Sequence, residues 1–309
     1  MAKQDFLTLS SVPAKDWGSL WDRAATLKAE RRRGVRHQAL AGKTVALVFE
    51  KSSTRTRVSF EVGVYELGGH AVVLSSAGSQ LARGEPIEDT ARVLAGYCHA
   101  IMIRTFGQER VETLARMADV PVINGLSDQH HPCQVASDLL TVREHFGEVA
   151  GLRYAWVGDG NNMAASWIEA AGLLGLELAL ACPEGYQPDA SMIAAARAAQ
   201  TALGRGSITL VTDPRRAVAG AQVISTDVWA SMGQEAEALA RQTAFAGYCV
   251  DEALVAQAAP GARVLHCLPA HRGEEISGGV IDGPASLVWT QAENRLHVQK
   301  AILERLIGA

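Results

Sequence analysis

Short apolar runs alternate along the chain with longer stretches whose apolar positions recur at helical spacing. Thr44–Phe49 is such a run and reads as a strand. Thr54–Leu67 has the period of a helix and is stopped by Gly68-Gly69. Ala71–Leu74 is the next strand, Pro86–Tyr97 a helix, Ala100–Arg104 a strand, Gln108–Ala118 a helix and Val120–Ile123 a strand. This alternation predicts a parallel sheet with helices on its faces. A long helix from about Val135 to Phe146 follows, then a break at Gly147 and Gly151. After it the alternation restarts, with strands at Tyr154–Val157, Leu178–Ala181, Ile208–Val211, Val223–Thr226 and Val264–Cys267 and helices between them. A last helix runs from about Leu287 to Leu306. The pattern predicts two α/β domains hinged near residues 135–150. Whether the last helix packs back on the first domain is not decided by spacing.

Length agrees with this division, since 309 residues correspond to about two domains. A chain of this size buries roughly three quarters of its unfolded surface, so neither disulfides nor metals are needed for stability. With 48% hydrophobic and 20% charged residues and a mean hydropathy of +0.05, wholesale disorder is excluded. The net charge of −4 argues against a nucleic-acid binder. The one basic run, Arg31-Arg32-Arg33 with Arg36, reads as a solvated helix end. No apolar core follows Met1-Ala2-Lys3-Gln4-Asp5, so no signal peptide is expected. The most apolar stretch, Met163 to Pro183, carries Glu169 and Glu177 and reads as a buried helix and strand rather than a membrane span. The cysteines Cys98, Cys133, Cys182, Cys249 and Cys267 are odd in number, widely spaced and without C-x-x-C, which fits a reduced, cytoplasmic compartment. There is no solenoid-length repeat.

Open α/β sheets bind ligands beyond the carboxyl ends of their strands, and the polar clusters of this sequence fall there. After the first strand comes Glu50-Lys51-Ser52-Ser53-Thr54-Arg55-Thr56-Arg57. Free N–H groups and the helix dipole favour an anion at such a helix start, and hydroxyls and an arginine fork suit phosphate oxygens. A plain N-cap needs one hydroxyl, not three with two arginines and a lysine. Arg55 and Arg57 point to different faces, so one touches the ligand and the other braces the loop. Arg104 ends an apolar strand, as a structural ion pair or as a ligand contact.

His130-His131-Pro132-Cys133-Gln134 precedes the long helix. Zinc is disfavoured because no second ligand cluster stands at finger spacing. A neutral His and a Gln suit an amide-like group, the one donating to its oxygen and the other accepting from its NH2. Gly158-Asp159-Gly160-Asn161-Asn162 begins like a dinucleotide turn, but Met163 stands where the third glycine belongs. Glu184 follows the next strand, so an NAD site stays open. The same turn suits a substrate side chain held by Asn162. In Asp227-Val228-Trp229-Ala230-Ser231-Met232-Gly233-Gln234, Asp227 can hold an ammonium group and Ser231 a carboxylate or amine, or either caps a helix. His266-Cys267-Leu268-Pro269 ends a buried strand, with packing and a nucleophilic thiol as the two readings. Together the clusters suggest transfer of a small acyl-type group from a phosphorylated donor to an amine.

Ser53-Thr54-Arg55-Thr56-Arg57, His131-Pro132-Cys133-Gln134, Asp227 to Gly233 and His266-Cys267-Leu268-Pro269, in this order, resemble the aspartate/ornithine carbamoyltransferases, with the last two segments like the ornithine branch. The resemblance runs from Phe49 to Glu293-Asn294-Arg295. It implies two doubly wound parallel-sheet domains that close on the substrates, with the C-terminal helix returning to the first. The carbamoyl phosphate domain would comprise 1–149 plus 287–309, and the ornithine domain 150–286. The implied reaction moves the carbamoyl group of carbamoyl phosphate to the δ-amine of L-ornithine, giving citrulline and phosphate for arginine biosynthesis. The alternative is a carbamoyltransferase for another amine, such as putrescine or an N-acylated ornithine.

By the same resemblance Ser53, Thr54, Arg55, Thr56, Arg104, His131, Gln134, Cys267, Leu268 and Arg295 bind carbamoyl phosphate. Gln80 reaches the donor site of a neighbouring subunit. Asn162, Asp227, Ser231 and Met232 bind ornithine. Arg55, Arg104, His131, Cys267 and Asp227 are the catalytic set. No metal, cofactor, nucleic acid or membrane is implied, and the assembly is a homotrimer or a multiple of trimers.

Overall fold

The structure, a computed structural model, describes residues 3–75, 80–230 and 237–308. The chain forms two compact units, Met1–Ser137 with Glu293–Ala309, and Asp138–Ala292. In the first unit β1 (Thr44–Phe49), β2 (His70–Ser75), β3 (Ala100–Arg104) and β4 (Val122–Leu126) form one sheet in the order β2-β1-β3-β4. All its pairings are parallel. Its helices are α1 (Trp17–Arg32), α2 (Thr54–Glu66), α3 (Ile87–Tyr97) and α4 (Gln108–Met117). Strands β1 and β3 are covered on both faces and therefore read as unbroken apolar runs, whereas β2 lies at the edge and is half exposed. Ala46, Val48, Ile101 and Ile103 of the sheet pack against Ile87 of α3 and Val111 and Leu114 of α4.

One strand departs from the sequence reading. Strand β4 begins two residues later and runs through Asn124 and Gly125, residues that discourage a strand assignment. The N-terminal segment makes up the difference: Phe6 N–H donates to Val122 O (2.8 Å) and Asn124 N–H to Phe6 O (2.8 Å). Gly125 is required because a Cβ there would lie 2.5 Å from the Met102 sulfur. The basic run closes α1 with exposed arginines, as the sequence reading has it, and Arg31 pairs with Glu66 (2.6 Å) and Arg32 with Glu293 (3.4 Å).

The second unit holds β5 (Arg153–Val157), β6 (Glu177–Ala181), β7 (Ser207–Val211), β8 (Val223–Thr226) and β9 (Arg263–His266) in the order β7-β6-β5-β8-β9. These pairings too are all parallel. Its core joins Val157, Ile224 and Val264 to Trp229, Phe245 and Tyr248, with the Trp229 and Phe245 rings stacked at 5.6 Å. Helices α5 (Pro132–Phe146), α6 (Asn162–Leu174), α7 (Ala190–Leu203), α8 (Pro214–Val218), α9 (Ala238–Ala244), α10 (Glu252–Val255) and α11 (Gly278–Ile281) come between these strands or flank them in sequence. The last helix, α12 (Val288–Ile307), passes into the first unit from Glu293 onward, where Val298, Ile302 and Leu303 are buried. Among the described residues no helix is long and apolar enough to cross a membrane.

Each strand order contains one reversal of winding. In the first sheet the chain moves outward from β1 to β2, then crosses to β3 on the other side. In the second it moves from β5 to β6 and β7, then crosses to β8. Loops leaving the two central strands diverge at such a point and leave a crevice at the carboxyl edge. The β1 and β3 ends carry the Ser53–Arg57 segment and Arg104. The β5 and β8 ends carry the Gly158–Asn162 turn and Asp227.

Candidate active site

At the first crevice Ser53 is extended and caps α2, its Oγ accepting the Thr56 N–H (3.1 Å). Thr56 is fully buried, and its hydroxyl accepts from Arg295 Nη2 (3.0 Å) and Arg104 Nη1 (3.5 Å). Arg295 also donates through Nη1 to Gln134 Oε1 (2.6 Å). With its amide oriented to satisfy both sides, Gln299 accepts from Arg295 Nε at 3.2 Å and donates to Ser59 at 2.6 Å. The Arg295 fork is thus fixed on three sides. Arg57 points away and pairs with Glu61 (3.4 Å), so Arg55 is the arginine of the pair that remains at the site.

His131 stands one residue before α5 and is 5% exposed. Burial, with the positive charges of Arg295, Arg104 and Arg55, holds its imidazole well below the usual histidine range. The ring is therefore neutral, able to donate from one nitrogen while the other stays unprotonated. Beside it, burial pushes the Cys133 thiol up to about 12, and Cys133 Sγ donates to Asn124 O (3.4 Å). The neutral, fully buried thiol packs behind the site. Glu50 anchors the floor of the crevice: its N–H donates to Arg104 O (2.9 Å), and its carboxylate pairs with Arg110 (2.6 Å) and Thr105.

At the second crevice Asp227 is 7% exposed and accepts two bonds: from Asn161 Nδ2 on Oδ2 (2.9 Å) and from Cys267 Sγ on Oδ1 (2.8 Å). Asn161, not Asn162, is the residue aimed at Asp227. Its Oδ1 at the same time caps α6 by accepting from Met163 N (2.9 Å) and Ala164 N (3.2 Å). The sequence offers two adjacent asparagines, and only the helix start decides which becomes the cap. Asn162 is the first helical residue, half-buried beside it. Ser231 and Met232 lie outside the described residues. Gln80 is exposed in a short 3-10 turn, Gln80–Arg83.

One contributor carries no sequence signal. Arg241 of α9 is 6% exposed and donates through Nη1 to Asp159 Oδ2 (2.9 Å) and Trp229 O (2.8 Å). Burial raises the Asp159 carboxyl above its ordinary value, Arg241 opposes the shift, and Asp227 adds to it. The two glycines of the dinucleotide-like turn have another purpose. Gly158 has φ 141°, and a Cβ on Gly160 would lie 2.2 Å from Pro188 N. Gly160 N–H donates to Tyr186 O (2.8 Å). The loop after β6 therefore occupies the space against Gly160 into which a pyrophosphate would have to come.

Metal-ligand atom types lie within 4.8 Å of one another in Asp227, His266 and Cys267, and in His271, Glu274 and Glu275. In the first group both His266 nitrogens are engaged, by Glu275 (3.0 Å) and by Leu268 N–H (2.8 Å), and Cys267 Sγ donates to Asp227. In the second, Glu275 is turned inward on His266.

The carbamoyl-P binding domain of the aspartate/ornithine carbamoyltransferases matches residues 4–144, and their Asp/Orn binding domain matches residues 150–306. An ornithine carbamoyltransferase of Pelobacter propionicus is 59% identical over 303 residues, 98% of each chain. One of Geobacter metallireducens is 58% identical over 302 residues, again 98% of each. The solved ornithine carbamoyltransferase of Pyrococcus furiosus superposes with a TM-score of 0.94 at 49% identity, covering 99% of this chain and 97% of that one. With both family domains matched in order along nearly its whole length, the chain belongs to the aspartate/ornithine carbamoyltransferase family.

Proposed function

We propose that the protein transfers the carbamoyl group of carbamoyl phosphate to the δ-amine of L-ornithine, releasing L-citrulline and phosphate. The observation that carries this reading is the neutral, buried His131 ringed by Arg55, Arg104 and Arg295 at a helix start. The relatives named above, all ornithine carbamoyltransferases, select the acceptor.

The phosphate sits at the N-terminus of α2, where free N–H groups, the Ser53, Thr54 and Thr56 hydroxyls and the Arg55 guanidinium meet its charge. Arg104 and Arg295 face the bridging and carbonyl oxygens. His131 donates to the carbonyl oxygen, and Gln134 accepts from the carbamoyl NH2. The main chain around Cys267 and Leu268 completes the donor set. Asp227, held by Asn161 and Cys267, receives the amine end of ornithine with Asn162, Ser231 and Met232. The substrates then meet with water excluded, as the family resemblance ascribes to domain closure. The neutral δ-amine attacks the carbonyl carbon, and the C–O bond to phosphate breaks. Negative charge gathering on the carbonyl oxygen is met by Arg55, Arg104, Thr56 and His131, each such donor lowering the barrier by roughly 3–4 kcal/mol. The proton leaving the amine goes to the departing phosphate or to the Cys267–Asp227 pair.

A homotrimer in the cytoplasm, serving arginine biosynthesis, fits this reading. For the assembly the support is large apolar side chains left exposed in the first unit, Val58 and Tyr65 on α2 and Val93 and Tyr97 on α3, Tyr65 to 79% and Tyr97 to 76%. Gln80 is exposed and would reach a neighbour's donor site. The test of the function is product formation from carbamoyl phosphate with ornithine, N-acetylornithine, putrescine and aspartate in parallel. Citrulline from ornithine alone is expected. Carbamoylation of another amine in its place would reject the assignment of Asp227 to ornithine.

A further inference from the structure

We propose that Glu275 and His266 are positioning residues that set the Cys267-Leu268 turn; the inference deepens the functional reading above and rests on it. Both side chains are fully buried, 0% exposed. Leu268 N–H donates to His266 Nδ1 at 2.8 Å. That nitrogen must therefore offer a lone pair, and in a neutral ring the proton sits on Nε2. Nε2 faces Glu275 Oε1 at 3.0 Å, and the same oxygen accepts the His271 N–H at 2.6 Å. The carboxylate thus selects the one tautomer that can receive Leu268. The other tautomer, or a doubly protonated ring, would set Nδ1–H against the Leu268 N–H.

The bond matters because of where Leu268 lies. Its φ of 60° is left-handed, a conformation that a non-glycine residue keeps only when its surroundings hold it. Cys267 is enclosed between the imidazole's own residue and the N–H that the imidazole grips, and its Sγ meets Asp227 at 2.8 Å. The other side of the turn is fixed as well. His266 N–H donates to Gln291 Oε1 (2.9 Å), and Gln291 Nε2 donates to Asp138 Oδ1 (2.7 Å). Asp138, Gln291, His266 and Glu275 are all at most 1% exposed. The strand end that delivers Cys267 is therefore bound through polar atoms that no solvent can replace. Neither His266 nor Glu275 reaches the substrates in the mechanism above. They act by placing the thiol and the main chain that do.

The experiment compares Glu275→Gln and Glu275→Met with the parent protein. The amide oxygen of Gln can still accept from His266 Nε2–H and His271 N–H, while Met fills the space and accepts nothing. Glu275→Met is expected to lower kcat/KM for ornithine by roughly 10²-fold, the scale of a small misplacement of a reacting group. KM for carbamoyl phosphate, whose donor set includes that same main chain, is expected to rise at least several-fold less, because the phosphate is still held by the α2 cluster, which Glu275 does not touch. Glu275→Gln is expected to restore most of the ornithine kcat/KM. ¹⁵N NMR of the histidine rings in the parent supplies a readout independent of turnover: His266 carries its proton on Nε2 and none on Nδ1. A proton on Nδ1, or a folded Glu275→Met variant with parental ornithine kinetics, overturns the proposal. Equal losses for both substrates that Gln does not rescue would do the same. If the parent carbamoylates a different amine, the functional reading fails, while the ring signals still test the relay.

Discussion

Arg55 and Asn161 show what single residues decide here. Arg55→Ala removes one guanidinium from the developing charge and should lower kcat by about 10²–10³-fold while weakening carbamoyl phosphate, read by steady-state kinetics on the folded variant. Near-parental kinetics would place the phosphate elsewhere. Asn161→Ala removes a helix cap worth about 1 kcal/mol together with a bond to Asp227. Urea denaturation should show the first loss, and a raised ornithine KM with little change for carbamoyl phosphate the second. The donor residues were legible because their types are improbable as ordinary caps: three hydroxyls and two arginines at one helix start. Asn161 was not, since Asn161 and Asn162 are chemically identical and one residue of register separates a capping, Asp227-binding side chain from its neighbour. Arg241 was invisible for another reason. An arginine on a short helix is ordinary, and only the fold puts it against Asp159 and the Trp229 carbonyl.

At the scale of elements, apolar runs between helical stretches were enough to locate the strands, because parallel strands buried on both faces carry no polar interruptions. Strand β4 shows the limit. Asn124 and Gly125 are strand residues only because the N-terminal segment pairs with Asn124 and the Met102 side chain fills the space over Gly125, contacts distant in sequence. The glycine turn after β5 teaches the same lesson. Its spacing resembles a cofactor loop, but Gly160 is needed for the approach of Pro188. Gly160→Ala should therefore destabilise the second unit by about 1–3 kcal/mol, the usual penalty for forced overpacking, seen as a lowered urea midpoint. Unchanged stability with loss of an NAD-induced fluorescence signal would instead favour the cofactor reading.

For the whole molecule, stability and chemistry are linked through buried histidines. His297 of α12 is fully buried; burial lowers its pKa to about 4, with Glu293 opposing and Lys28 and Lys300 adding to the shift. His131 is displaced in the same direction. Each binds its proton more weakly folded than unfolded, so the unfolded chain takes up more protons below the ordinary value near 6.5, for His297 down to about 4. Stability is thus full above about pH 6.5 and is lost as the pH falls toward 4, by up to about 1.4 kcal/mol per pH unit for each group. The urea midpoint of His297→Leu should fall less steeply over that range than that of the parent, and an unchanged slope would contradict the shift. In the proposed reaction the two crevices divide the labour, with donor binding at the β1–β3 edge and amine binding at the β5–β8 edge. Calorimetric titration of carbamoyl phosphate into Arg55→Ala and Asp227→Asn, with citrulline assayed in both, tests it most directly. Arg55→Ala should lose donor binding, whereas Asp227→Asn should bind carbamoyl phosphate as the parent does and form almost no citrulline. Equal weakening of donor binding in the two variants would contradict the account.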